Sequence, residues 1–281
     1  MTHLTPDQVK QFNDDGYIIL PGLFDDAEVA RMRVEADKIL ELIVNSSIAL
    51  GRPSGRLDYG ENSAGIAVVR KIQPINDLSG YLAQVSSDPR LLDPMRDIME
   101  DEPVLMEEKL NYKEPLPQPI PGIPVHKRDD LFPVHNDWAY YQAQDYPQSI
   151  ISSAISMDEC TVENGPLHIW PGSHKTHLEH EQIAIGLQVL PHLIDFSGGI
   201  DILAPPGSVM FFHSLLVHNS RPNGTRKPRR LMIYSHYPAR FNMGDDVRNG
   251  PGRQRERPFE QQYRNMVAGG AYKDEFKAPG L

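Results

Sequence analysis

The sequence predicts a mainly β fold, a sandwich or barrel of short strands with helices packed outside it. Two observations carry this. From about residue 57 onward, apolar runs of strand length recur between Pro and Gly turn signals. Before that point the apolar spacing is helical. Thr5-Pro6 ahead of "DQVKQF" supplies an N-cap hydroxyl and a proline in the first helical position, so a short helix should run from there to Gly16. "YIILPGLF" then reads as a strand closed by Pro21-Gly22. "DDAEVARMRVEADKILELIV" has helical apolar spacing, with acids in the first turn where the helix dipole favours them. The strand-like runs are "IAVVRKIQPI", "VLMEEKLNYK", "SIISSAISM", "PLHIWPG", "GSVMFFH" and "RLMIYSHY".

Two stretches interrupt this pattern. "EPLPQPIPGIPVHKRDDLFP" has too many prolines for a central strand. "KTHLEHEQIAIGLQVLPHLIDF" reads as an insertion with a helix of its own, and loops of that length in compact domains usually serve a function. No repeat or convincing linker divides the chain. The expectation is one domain over 1–281, with a helical part to about 50, a β core over about 57–240 and a C-terminal extension over about 241–281.

Bulk properties narrow the function. A chain of 281 residues can bury roughly 75% of its unfolded surface, so stability requires no disulfide or structural metal. Lys plus Arg number 28 against 38 Asp plus Glu, a formal charge of −10. That argues against a nucleic-acid or anionic-membrane partner and for a small molecule, because phosphates attract basic surfaces. Cys160 is the only cysteine, which excludes an internal disulfide and a Cys-rich zinc site. The opening "MTHLTPDQVKQFNDDG" lacks the basic and apolar regions of a signal peptide, and no apolar run is long enough to span a bilayer, so a cytoplasmic protein is expected. Oligomeric state is not legible.

Chemistry enters at "FPVHNDWAYY", residues 132–141. On a strand, residues i and i+2 share a face, so His135 and Asp137 should project together, with Asn136 opposite. With a distant histidine they would make the two-histidine, one-carboxylate face that suits non-heme Fe(II) and leaves open positions. A chance origin competes with this, since about one H-x-D triplet is expected in a chain of this composition. "PPGSVMFFHSLLVHNSRPNGTRKPRR" offers His213 and His218 as the third ligand. His218 stands 83 residues after His135 and is followed by Ser220 and, eleven residues on, by Arg229. Arg229 shares strand parity with Leu231 and Ile233, which aims it at the core, where a guanidinium fork suits a carboxylate. Arg230 shares parity with Met232 and Tyr234 and stays open as an alternative. His174, His177 and His180 fit a solvated helix start better than a metal patch.

At these residues the chain resembles the phytanoyl-CoA dioxygenase family. The resemblance runs from "TPDQVKQFNDDGYIILPGLF" to about residue 240 and includes "ENGPLHIWPGSH" and "PGSVMFFHSLLVHNS". It implies a double-stranded β-helix (jelly roll, cupin-like) core and a dioxygenase using Fe(II), 2-oxoglutarate as cosubstrate and O2, with succinate and CO2 as products. By the same resemblance His135, Asp137 and His218 would bind iron, Arg229 and Ser220 would hold the distal carboxylate of 2-oxoglutarate, and Lys71 would touch the cosubstrate. Halogenases of this kind lack the acid, so Asp137 points to oxygenation. Ala154 stands where several members have a tryptophan, which would reshape the pocket. Trp138, Tyr140 and Tyr141, the Pro-rich loop and the insertion are expected to shape a substrate site, with Asn111 and His236 as further polar candidates. Two rivals remain, a catalytically silent metal-binding jelly roll acting as a sensor or binding protein, and a zinc hydrolase using the same triad. The serine and arginine after His218 speak against the first. No general base at a defined spacing supports the second.

Overall fold

The computed structural model describes residues 3–62, 64–75, 77–125, 131–243 and 258–278. Helix α1 (Pro6–Asp15) opens with a capping box between Thr5 and Gln8 and stops at Gly16, whose φ of 82° suits a residue without a side chain. Strand β1 (Tyr17–Leu20) leads into α2 (Asp26–Leu50), capped by Asp25. Then come β2 (Leu57–Glu61), β3 (Ala67–Ile72), α3 (Gly80–Val85), α4 (Pro89–Met99), β4 (Pro103–Pro115), β5 (Phe132–His135) and the single turn α5 (Trp138–Tyr141). The second half supplies β6 (Ile151–Ser156), β7 (Leu167–Ile169), β8 (His180–Ile183), β9 (Gly186–Val189), β10 (Ile200–Asp201), β11 (Val209–His213), β12 (His218–Ser220) and β13 (Leu231–Pro238). Helix α6 (Pro258–Ala268) closes the described chain.

Two antiparallel sheets form the core. The larger has the order β1-β11-β6-β13-β4-β3-β2 and the smaller β10-β7-β12-β5. This is the expected double-stranded β-helix, and the strand alternation explains how its larger sheet is covered on both sides. On β13, Met232 and Tyr234 join the core that includes Met32, Leu40 and Ile43 of α2, while Leu231 and Ile233 join a second core with Leu167 and Ile169 of the smaller sheet. All eight β13 residues are buried, so the strand reads as a continuous apolar run rather than an alternating one.

Two expectations are corrected, and the C-terminal extension gains a structure. The insertion carries a hairpin, β8 paired with β9, instead of a helix. Its "EQIAIGLQV" alternates with period two and turns through Ala184-Ile185, and β9 lies against β5. The β texture after residue 57 is broken by α3 and α4, each with an N-cap side chain, Ser79 and Asp88. The C-terminal extension includes a helix that packs on α2. The Pro-rich stretch falls partly outside the described residues, at 126–130.

Candidate metal centre and pocket

His135 and His218 are direct cross-strand partners on β5 and β12, so strand pairing brings together two residues far apart in sequence. Asp137 completes the group by a different route than expected. Strand β5 ends at His135, and Asp137 has helical dihedrals, φ −64° and ψ −33°, at the start of α5. A turn swings its carboxylate back, so that Oδ1 lies 3.7 Å from His135 Nε2 and 3.9 Å from His218 Nε2. All three are buried.

The tautomers are fixed. His135 Nδ1 sits 2.7 Å from Pro133 O, and His218 Nδ1 sits 3.0 Å from Leu216 O. A carbonyl only accepts, so each Nδ1 carries the proton and each Nε2 lone pair faces Asp137. This is how metal-binding imidazoles are oriented. Burial first, and the neighbouring His135 next, hold His218 down at about 4, so it stays a neutral donor near pH 7. Burial alone would raise the Asp137 pKa, but the Lys109 ammonium holds it below the carboxylate range. Two neutral nitrogens and one carboxylate form the only described group of metal-ligating side chains. The set fits Fe(II).

Asn136 holds the turn. Its side-chain oxygen accepts from Ala139 N at 3.1 Å, and its backbone N donates to His180 Nε2 at 3.1 Å. His177 Nδ1 lies 3.3 Å from its amide nitrogen, and the His177 and His180 rings stack at 5.4 Å. These two histidines are thus partly buried supports behind the ligand turn, which corrects the solvated helix start. His174 lies apart, packed against His213.

A pocket of about 540 Å³ opens from the triad. Arg229, Ser220 and Lys71 all line it. Arg229 is 1% exposed, and its Nη2 donates to Gly165 O at 2.8 Å and to Ser220 Oγ at 3.0 Å. Arg230 turns the other way, into an ion pair with Asp37 of α2 and with Asp158, so of the two only Arg229 lines the pocket. Tyr140 and Tyr141 line the pocket. Trp138 does not: its indole N–H donates to Tyr146 O, and its ring packs on His177. Ala154 also stays out of the large pocket, lining a separate cavity of about 10 Å³ beside Met210 and Leu231. Asn111 lines the large pocket and His236 does not.

Sequence reading named Asn111 on the β4 wall but missed Glu107 and Lys109. Glu107, Lys109 and Asn111 share one face of β4 and line the pocket. Polar residues at i, i+2 and i+4, which share one face of a strand, were the available signal. Glu107 accepts from Gln73 Nε2 at 2.5 Å and from the Tyr141 hydroxyl. Lys109 Nζ lies 3.4 Å from Glu107 and 3.9 Å from Asp137.

The phytanoyl-CoA dioxygenase family model matches residues 12–231. The chain belongs to this family. It is 28% identical over 254 residues to ectoine dioxygenase of Bordetella bronchiseptica, which covers 83% of this chain and 75% of the relative. The crystal structure of EctD from S. alaskensis with 2-oxoglutarate and 5-hydroxyectoine superposes with a TM-score of 0.62 at 25% identity, covering 84% of this chain and 77% of that one. The epimerase SnoN in complex with Fe3+, alpha ketoglutarate and nogalamycin RO shares the fold, with a TM-score of 0.63 at 17% identity over 83% of each chain. The family member described here is an Fe(II)- and 2-oxoglutarate-dependent dioxygenase. No helix among the described residues is long and apolar enough to cross a membrane.

Proposed function

We propose that this dioxygenase hydroxylates an unactivated C–H bond of a small metabolite, for which a natural-product intermediate is one candidate, in the cytoplasm and within a single catalytic domain. His135, Asp137 and His218 hold the iron. Arg229 and Ser220 hold the distal carboxylate of 2-oxoglutarate, Lys71 contacts the same cosubstrate, and Tyr140 and Tyr141 face the substrate. Bound iron with its cosubstrate supplies oxidative decarboxylation, yielding succinate and CO2, coupled to oxidation of the substrate. The protein's own part is to fix ligand geometry, exclude water and orient the C–H bond.

One observation carries this reading. A buried guanidinium bonded to Ser220 lines the same pocket as the metal group, and a cation there calls for a carboxylate. A metal-binding sensor would have no use for it. Asp137 favours oxygenation over halogenation, because its carboxylate fills the position a halide would need. The test is anaerobic addition of Fe(II) and 2-oxoglutarate, which should give a weak visible charge-transfer band that His135→Ala abolishes, followed by succinate release on admitting air. Folded protein giving neither band nor succinate would refute the proposal.

A further inference from the structure

Among the described residues, cationic side chains outnumber anionic ones around the pocket. The charged residues there are Asp58, Arg70, Lys71, Glu107, Lys109, Asp137 and Arg229. In the loaded site, two positive charges on iron together with Arg229 offset Asp137 and the two carboxylates of 2-oxoglutarate. Asp58 offsets Arg70, with which it forms an ion pair at 3.0 Å. Glu107 is then left to face two ammonium groups, Lys71 and Lys109. Among the described residues, that wall carries two ammonium groups against one carboxylate, whichever lysine lies nearer the cosubstrate.

The two lysines are placed to donate to a ligand. Lys109 lies partly buried beside the metal group, and its contacts to carboxylates, at 3.4 and 3.9 Å, are long for an ammonium with three donors. Among the described residues Lys71 has no ion pair within 4.0 Å, and its contact to Gln73 Oε1 is 3.5 Å. Burial, and after it repulsion from Lys109, pulls the Lys71 ammonium below its ordinary range, as expected of a desolvated cation short of counter-charge. Water compensates such a charge in the open pocket. A substrate that fills the pocket expels that water and must replace it.

We infer that the substrate is a small anion, its carboxylate-type oxyanion seated against Lys109 with Lys71 beside it. This rests on the iron and 2-oxoglutarate reading above. Glu107 opposes the anion, and its bonds from Tyr141 and Gln73 fix where the lysines can reach. The pocket therefore discriminates by charge before it discriminates by shape.

Three probes of one size and different charge test this: propionate, propionamide and propylamine, each titrated anaerobically into protein holding Fe(II) and saturating 2-oxoglutarate. Propionate should shift the charge-transfer band at the lowest concentration. Lys109→Gln should weaken propionate about tenfold or more, the loss expected for one charged hydrogen bond, and Glu107→Gln should strengthen it. Propionamide or propylamine matching propionate would overturn the inference. So would no shift with any probe, bleaching of the band by displaced 2-oxoglutarate, or wild-type propionate affinity in Lys109→Gln. Should Lys109→Gln fail to hold iron, Glu107→Gln decides, since weaker or unchanged propionate binding there refutes the inference. A wild-type protein without the band refutes the cofactor reading and this inference together, whereas a band with charge-blind probes refutes this inference alone.

Discussion

The two ends of the pocket are built in different ways. At the metal end, each imidazole is oriented by a carbonyl two residues back in its own chain, Pro133 for His135 and Leu216 for His218. The β4 wall is held by side chains from separate elements, Gln73 after β3, Tyr141 on α5 and Lys109 beside Glu107. Local backbone thus sets the ligands, and tertiary contacts set the wall. Ligand geometry should survive changes in the wall, while wall geometry should shift with any neighbour. This arrangement allows one metal centre to serve different substrates.

The largest effect should come from breaking the metal end. His218→Ala is expected to abolish the anaerobic band and cut succinate formation below about one hundredth of wild type, with an unchanged far-ultraviolet circular dichroism spectrum; a retained band would remove His218 from the ligand set. Arg229→Ala should raise the KM for 2-oxoglutarate roughly ten- to a hundredfold, the loss of one charge-assisted carboxylate contact, while Fe(II) affinity measured without cosubstrate stays put. Partial recovery in Arg229→Lys would assign the loss to charge.

Asn136→Ala probes the junction between the two ends. It removes the cap on Ala139 N and the link to His177, and Fe(II) affinity should fall about tenfold without change in the KM for 2-oxoglutarate. Equal loss in both would show that the turn supports the whole pocket. The smallest effect should lie off the pocket, at Glu114 near the end of β4. Burial raises its carboxyl to about 7, outweighing the attraction of Arg230. The folded state then holds a proton that the unfolded state releases above about 4.5, so stability falls as pH rises through that window to about 7. Glu114→Gln should raise the melting temperature by a few degrees at pH 8 and by little at pH 5; a shift independent of pH would refute this account.

Legibility followed the range of the interactions. Helices α1 and α2 were readable because their caps and apolar spacing lie within the helices themselves, and most core strands because turn residues bracket them. The β8–β9 hairpin was misread because its alternation is short and its pairing is with itself and β5. The H-x-D spacing found two residues that the structure brings together with His218, although the parity argument assumed a strand that ends at His135. Trp138 was misassigned because a one-turn helix points it toward Tyr146 and His177.

By itself, the sequence determined the candidate ligand types, their order and the serine and arginine that follow them, because donor chemistry belongs to the residue and travels with it. Tertiary structure alone decided that His218 faces His135 across a ladder and that Arg229, not Arg230, lines the pocket. It also decided that Lys71, Glu107 and Lys109 share a wall with unequal charge. Those outcomes depend on register and sheet packing, where a shift of one residue turns a side chain to the opposite face.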